Sequence, residues 1–173
     1  ITQFANNIAE LETIVDFILI DTSAGITDSV LSFCKLAHEV IFITTPEPTS
    51  ITDAYALIKT FKAKYISDLP QFKILVNKAE NANEAQQVYI KLSNVCNRFL
   101  NINTQYLGYV PFDYNIIKVS KLQEPICKRY PKSNASIAYQ MISKSLASND
   151  RKTKIQQGQK SFFKQVINMF KKG

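Results

Sequence analysis

At 173 residues, 46% of them hydrophobic, the chain is long enough to bury a substantial core and short enough to be a single domain. Its net charge of +7 is not spread over that domain: all 14 acidic residues lie within 1–150, and residues 151–173 carry Arg151, Lys152, Lys154, Lys160, Lys164, Lys171 and Lys172 with no acid. The balance argues against a broadly basic nucleic-acid-binding domain, and neither a bilayer-length apolar run nor a signal-peptide pattern is present.

The chain opens at Ile1, not Met, within a helix-like spacing of Phe4, Ile8, Leu11 and Ile14 or Val15. It is expected to be part of a longer protein. Phe17, Ile18, Leu19 and Ile20 form an unalternating apolar run, the pattern of a strand covered on both faces, and lead into Asp21-Thr22-Ser23-Ala24-Gly25. Thr27 can cap a helix reaching about Ala37, and EVIFIT (39–44) is a second apolar, β-branched strand. After TTPEPTS, Ser50 with Asp53 three residues on reads as a capping-box start for a helix to about Tyr65. The TTPEPTS loop either offers a partner surface or only shapes the turn. FKILVN (72–77) is the third strand, a helix is predicted from about Glu84 to Phe99, and QYLGYVP (105–111) is the fourth strand. YNIIKVSKL and Asn134–Leu146 read as two further helices. Strands alternating with helices at this pitch predict an α/β fold, a parallel β-sheet flanked by helices. Cys34, Cys96 and Cys127 are widely spaced with no C-x-x-C pair and are expected to be buried free thiols; His38 is the only histidine.

Three predicted strand ends carry polar residues: Asp21, Asn77-Lys78, and Pro111-Phe112-Asp113. Singly, Asp21 could cap a turn, Asn77 could end a strand, and Pro111 could stop one. Together, at the carboxyl edge of one parallel sheet, they describe a nucleotide-sized site, where Gly25 would let backbone approach a ligand closely.

IDTSAG resembles the DxxAG switch segment of the MinD/ParA group of deviant P-loop ATPases, LVNKAEN resembles their adenine-contacting strand end, and GYVPFD their later base-contacting loop. TTPEPTSITDAYALIK, in order with these, is similar to the flagellar-number regulators FlhG (YlxH, FleN), and the resemblance covers nearly all of residues 10–147. It implies ATP and Mg²⁺ as cofactors. Asp21 would lie near Mg²⁺, held through a coordinated water; Ala24 and Gly25 would approach the γ-phosphate; Asn77 and Lys78 would lie at the adenine edge, with Pro111, Phe112 and Asp113 closing over the base. The implied partners are an FlhF-like GTPase, flagellar switch-complex proteins and, with ATP, a second copy of the chain. The Gly-rich phosphate loop of this group has no counterpart in the sequence, so the chain is expected neither to bind ATP tightly nor to hydrolyse it by itself.

Residues 148–158 are polar and unperiodic and are expected to be a linker after a MinD-like domain at 1–147. In 159–173 a helical projection gathers Phe162, Phe163, Val166, Ile167 and Phe170 on one face, with Lys160 and Lys164 at its borders. Such a helix either docks on the domain or lies in an anionic membrane surface; the aromatic stripe with basic flanks favours the membrane. The expected function is a nucleotide switch, cytoplasmic and peripheral on the inner face of the cell membrane. The alternatives are a non-catalytic membrane-surface adaptor and a ParA-like nucleic-acid partner, the last disfavoured because phosphate binding needs no apolar stripe.

Overall fold

The computed structural model describes residues 14–22, 25–66 and 69–156, with side chains as far as Ser148. From α1 (Asp28–Leu36) the chain alternates through β1 (Glu39–Thr44), α2 (Pro48–Lys64), β2 (Gln71–Ala79), α3 (Ala82–Leu100) and β3 (Thr104–Pro111), then closes with α4 (Tyr114–Leu122), α5 (Ile126–Arg129) and α6 (Asn134–Gln156). The strands lie in the order β1-β2-β3 and every pairing is parallel. The chain is therefore an α/β protein with a helix-flanked parallel sheet.

Burial on both faces explains the unbroken apolar strands. Phe72, Ile74 and Val76 of β2, with Val40 and Phe42 of β1, pack against Val30, Ile58, Phe61, Val88 and Leu92 from α1, α2 and α3. Phe72 receives the rings of Phe42 and Phe61 edge-on, with centroids 5.2 and 5.5 Å away. On the opposite face Leu75, Leu107 and Val110 meet Val119, Ile126 and Ala135 from α4, α5 and α6. Alternation along β2 puts Lys73 on this second face. It is buried, and its ammonium is neutralised by Glu39 of β1 at 2.7 Å.

β3 carries an extra residue where it passes β2. Tyr106 pairs with Ile74 and Gly108 with Leu75, leaving Leu107 in a bulge. Gly108 has φ +135°, a conformation that only glycine adopts without strain.

Four expectations need correction. Residues 17–20 do not form a strand, and Phe17, Ile18, Leu19 and Ile20 are 48%, 40%, 83% and 42% exposed. An extended apolar run becomes a strand only when a neighbour satisfies its N–H and C=O groups, and no described strand pairs with it. α2 begins at Pro48, with Glu47 as an N-cap that makes no side-chain bond, so the Ser50–Asp53 capping box does not form. α6 does not stop near Leu146 but runs to Gln156, so residues 148–156, expected as linker, are helical. Cys34 and Cys96 are buried as expected, but Cys127 is exposed, because the single turn of α5 turns Ile126 inward instead. Residues 157–173, with the whole stripe from Lys160 to Phe170, lie outside the described residues.

Candidate functional site

Parallel pairing places the carboxyl ends of all three strands on one edge, each followed by a loop into a helix. At the end of β1 the buried Thr44 lies with its hydroxyl 3.1 Å from that of Ser50. The Ser50 oxygen also accepts the Thr45 N–H at 3.0 Å. Ser50 thus folds the loop back on the strand from within the first turn of α2, a role that local spacing does not show.

At the end of β2, Asn77 pairs with Val110 and Ala79 with Pro111, so Lys78 is the extra residue of a second bulge. Lys78 adopts φ +57°, costly for a side chain other than glycine or asparagine. Asn77 Oδ1 accepts the Lys78 N–H at 3.0 Å, which uses the acceptor half of its amide locally. Beyond it, Asn81 caps α3 by accepting the Glu84 N–H at 3.0 Å, and Glu84 in return accepts the Glu80 N–H at 2.7 Å. Pro46, Glu47, Lys78, Glu80 and Glu84 line an open depression of about 310 Å³ between the first two strand ends.

At the end of β3, the Phe112 N–H donates to the Ala79 carbonyl at 3.0 Å, extending the sheet by one residue. Phe112 and Tyr114 then stand as an exposed edge-to-face pair, centroids 5.0 Å apart. Between them Asp113 points back into the fold: Oδ1 accepts the Asn115 N–H at 2.8 Å and Oδ2 the Ala135 N–H at 3.3 Å. Burial alone would raise the Asp113 pKa. The backbone donors Asn115 and Ala135, with the Ser133 hydroxyl, outweigh that and hold its carboxyl below the ordinary value.

The structure therefore brings Asn77, Lys78, Pro111, Phe112 and Asp113 to one edge. Asp21 is exposed, and no hydrogen bond or ion pair among the described residues joins it to that edge. Ala24 lies outside the described residues, while Gly25 has φ +109° and open space around the position of a Cβ. Sequence reasoning missed Tyr114, the glutamates of the depression and the second bond of Asp113. The first Asp113 bond has a local signal that could have found it, since an Asp just ahead of an amphipathic helical segment is an N-cap pattern. The second spans 22 residues and leaves no local sign.

Among the described residues no Gly-rich loop is present, and no three His, Cys, Asp or Glu side chains group as a metal site would require.

Comparison with known proteins agrees with the fold. The profile of the family described as ParA, NUBPL iron-transfer P-loop NTPase, matches residues 1–147. The antiactivator FleN of Pseudomonas aeruginosa is 38% identical over 134 residues, 78% of this chain and 47% of FleN. The flagellum site-determining protein YlxH of Helicobacter pylori is 28% identical over 169 residues, 95% of this chain and 56% of YlxH. The septum site-determining protein MinD of Bacillus subtilis is 28% identical over 144 residues, 83% of this chain and 52% of MinD. The chain thus spans about half the length of these curated relatives. Among solved structures, a ParA family ATPase from Chlorobium tepidum TLS superposes with a TM-score of 0.59 at 20% identity, over 82% of this chain and 54% of that one, which is a likeness of fold.

Proposed function

The chain belongs to the ParA family of P-loop NTPases, and from that premise we propose that it supplies the base-binding edge and a switch acid of a MinD-type, ATP-dependent regulator of flagellar number and placement. The observation that carries the reading is the convergence of Asn77 with Phe112 and Tyr114 at the carboxyl edge of a parallel sheet, the edge at which such folds bind nucleotides. The flagellar assignment is supported by the likeness to FleN and YlxH over most of the chain.

In this reading the Asn77 amide hydrogen-bonds the adenine edge, Lys78 borders it, and the Pro111–Phe112 backbone with the Phe112 ring closes over the base. Mg²⁺, when bound, neutralises phosphate charge and orients the nucleotide. Asp21 would hold it through a coordinated water, as suits a hard cation that keeps its hydration. Ala24 and Gly25 would follow the γ-phosphate, so that the segment reports the nucleotide state. Hydrolysis further requires a phosphate loop that the described residues do not contain. ATP-linked pairing of two chains would present two membrane-seeking C-terminal segments together, and avidity would turn weak binding into stable residence.

The test is phosphate release by full-length protein in the presence of Mg·ATP, comparing wild type with Asp21→Ala. The variant is expected to lose turnover while retaining the far-UV signature of the folded sheet. Undiminished release by the folded variant removes Asp21 from the mechanism.

A further inference from the structure

The Asp113 carboxylate is divided between two helices. Oδ1 closes the start of α4 through the Asn115 N–H, and Oδ2 reaches across the fold to the Ala135 N–H at the start of α6. Ala135 is fully buried, so water cannot replace this acceptor. The other side-chain caps among the described helices bond a single helix start: Thr27 serves α1, and Asn81 serves α3. Within the α6 start, Ser133 Oγ accepts the Ser136 N–H at 3.2 Å and the Ser136 hydroxyl donates to the Tyr130 carbonyl at 2.7 Å. Asp113 thus ties the α6 start by hydrogen bonds to the loop carrying Phe112 and Tyr114. Two helix N-termini, each partly positive, converge on one anion. α6 in turn packs along the face of β3, and Ile142 lies 3.6 Å from where a Gly108 Cβ would stand.

We infer that Asp113 is a positioning residue: with one carboxylate oxygen on each helix start it fixes the Phe112–Tyr114 ring pair relative to α6, and so couples the carboxyl edge of the sheet to the helix that leads toward residue 157. The coupling to a bound base rests on the reading proposed above; the tie between the two helices does not.

The tie is tested by residue-resolved amide hydrogen exchange on the whole 173-residue chain. An Asn at 113 keeps one acceptor oxygen and presents a donor in place of the other. In Asp113→Asn, one of the Asn115 and Ala135 amides is therefore expected to exchange at least tenfold faster while the other keeps its protection. In Asp113→Ala both accelerate, with Phe72, Ile74 and Val76 unchanged. Unaltered exchange at Ala135 in both variants, or an equal acceleration across β2, overturns the tie. Should Asp113→Ala not fold, the Asn variant decides.

The coupling is tested with adenosine, a probe that needs no phosphate loop. The chain contains no Trp, so Tyr114→Trp gives a single fluorescent reporter at the ring pair. Saturating adenosine is expected to change its emission and to shift the Ala135–Ile142 amide resonances together. With Asp113→Asn added, the emission change should persist and the α6 shifts disappear. Shifts in α6 that survive the substitution overturn the coupling. If adenosine changes neither signal, the base-binding reading fails and the coupling with it, while the exchange data still decide the tie.

Discussion

At the scale of single residues, the chemistry of a side chain was legible and its surroundings were not. The three cysteines could be identified as free thiols from their spacing, but their accessibility depends on which helix face each occupies. Cys34 and Cys96 sit inside the core, where burial raises both thiols, that of Cys96 to about 11, whereas Cys127 faces out. Asp113 shows the same division. Its hydrogen bonds favour the carboxylate, so its folded pKa lies below the ordinary 3.8. A depressed carboxyl stabilises the fold above its unfolded pKa, and that stability is lost as pH falls through the folded value. Asp113→Ala should accordingly cost about 1 to 2 kcal/mol at neutral pH, as loss of a helix cap does. Urea titrations repeated at descending pH should show the difference from wild type intact down to about pH 4 and shrinking below it. A difference that instead grows in acid means that the protonated side chain is the better cap.

At the scale of elements, the runs of residues 39–44, 72–77 and 105–111 were all readable as strands, and structure extended the second by three residues and the third by one. Boundaries moved where a tertiary contact replaced a local rule. The start of α2 is the clearest case. Ser50 and Asp53 match a capping box, yet the Ser50 oxygen serves Thr45 at the end of β1, six residues from Thr44 in sequence and one hydrogen bond away in space. Ser50→Ala should therefore lower stability by about 1 kcal/mol, the net worth of a lost hydrogen bond with a part-buried donor. Asp53→Ala, at an exposed position, should fall within about 0.5 kcal/mol of wild type. Thermal unfolding of the two variants separates the cases, since a capping box would make both costly.

At the scale of the whole molecule, charge and apolar pattern divide the chain more sharply than its helices do. Residues 1–150 are neutral, so electrostatic attraction to an anionic surface must come from the last segment, where each Lys near such a surface contributes about 1 kcal/mol. Phe162, Phe163, Ile167 and Phe170 would add an apolar term, up to about 1.5 to 3 kcal/mol for each side chain if fully buried. No described helix is long and apolar enough to cross a membrane. α6 continues about 15 Å past Leu146 at the rise of an α-helix. Full-length protein with ATP is expected to sediment with anionic liposomes, and to lose that association on truncation after Gln156, on Phe163→Glu, or in neutral lipid. Sedimentation of the truncated protein assigns the anchor elsewhere.

What the sequence by itself determined is local and periodic: the alternation of strands and helices, the parallel sheet, the polar strand ends, and a charge balance confined to the tail. These follow from side-chain chemistry repeated at the spacing of a strand or a helix, which adjacent residues specify without reference to the rest of the chain. The tertiary structure alone decided which of those signals are realised. Phe17–Ile20 has the composition of a buried strand and is not one, because a ladder needs a partner. Lys73 looks like a surface residue within FKILVN and is buried, because Glu39 on the neighbouring strand neutralises it. Asp113 reads as one of the polar strand ends and holds two helix starts, because hydrogen bonds depend on distance in space, and the backbone N–H of Ala135 comes within 3.3 Å only after β3, α4 and α6 have packed.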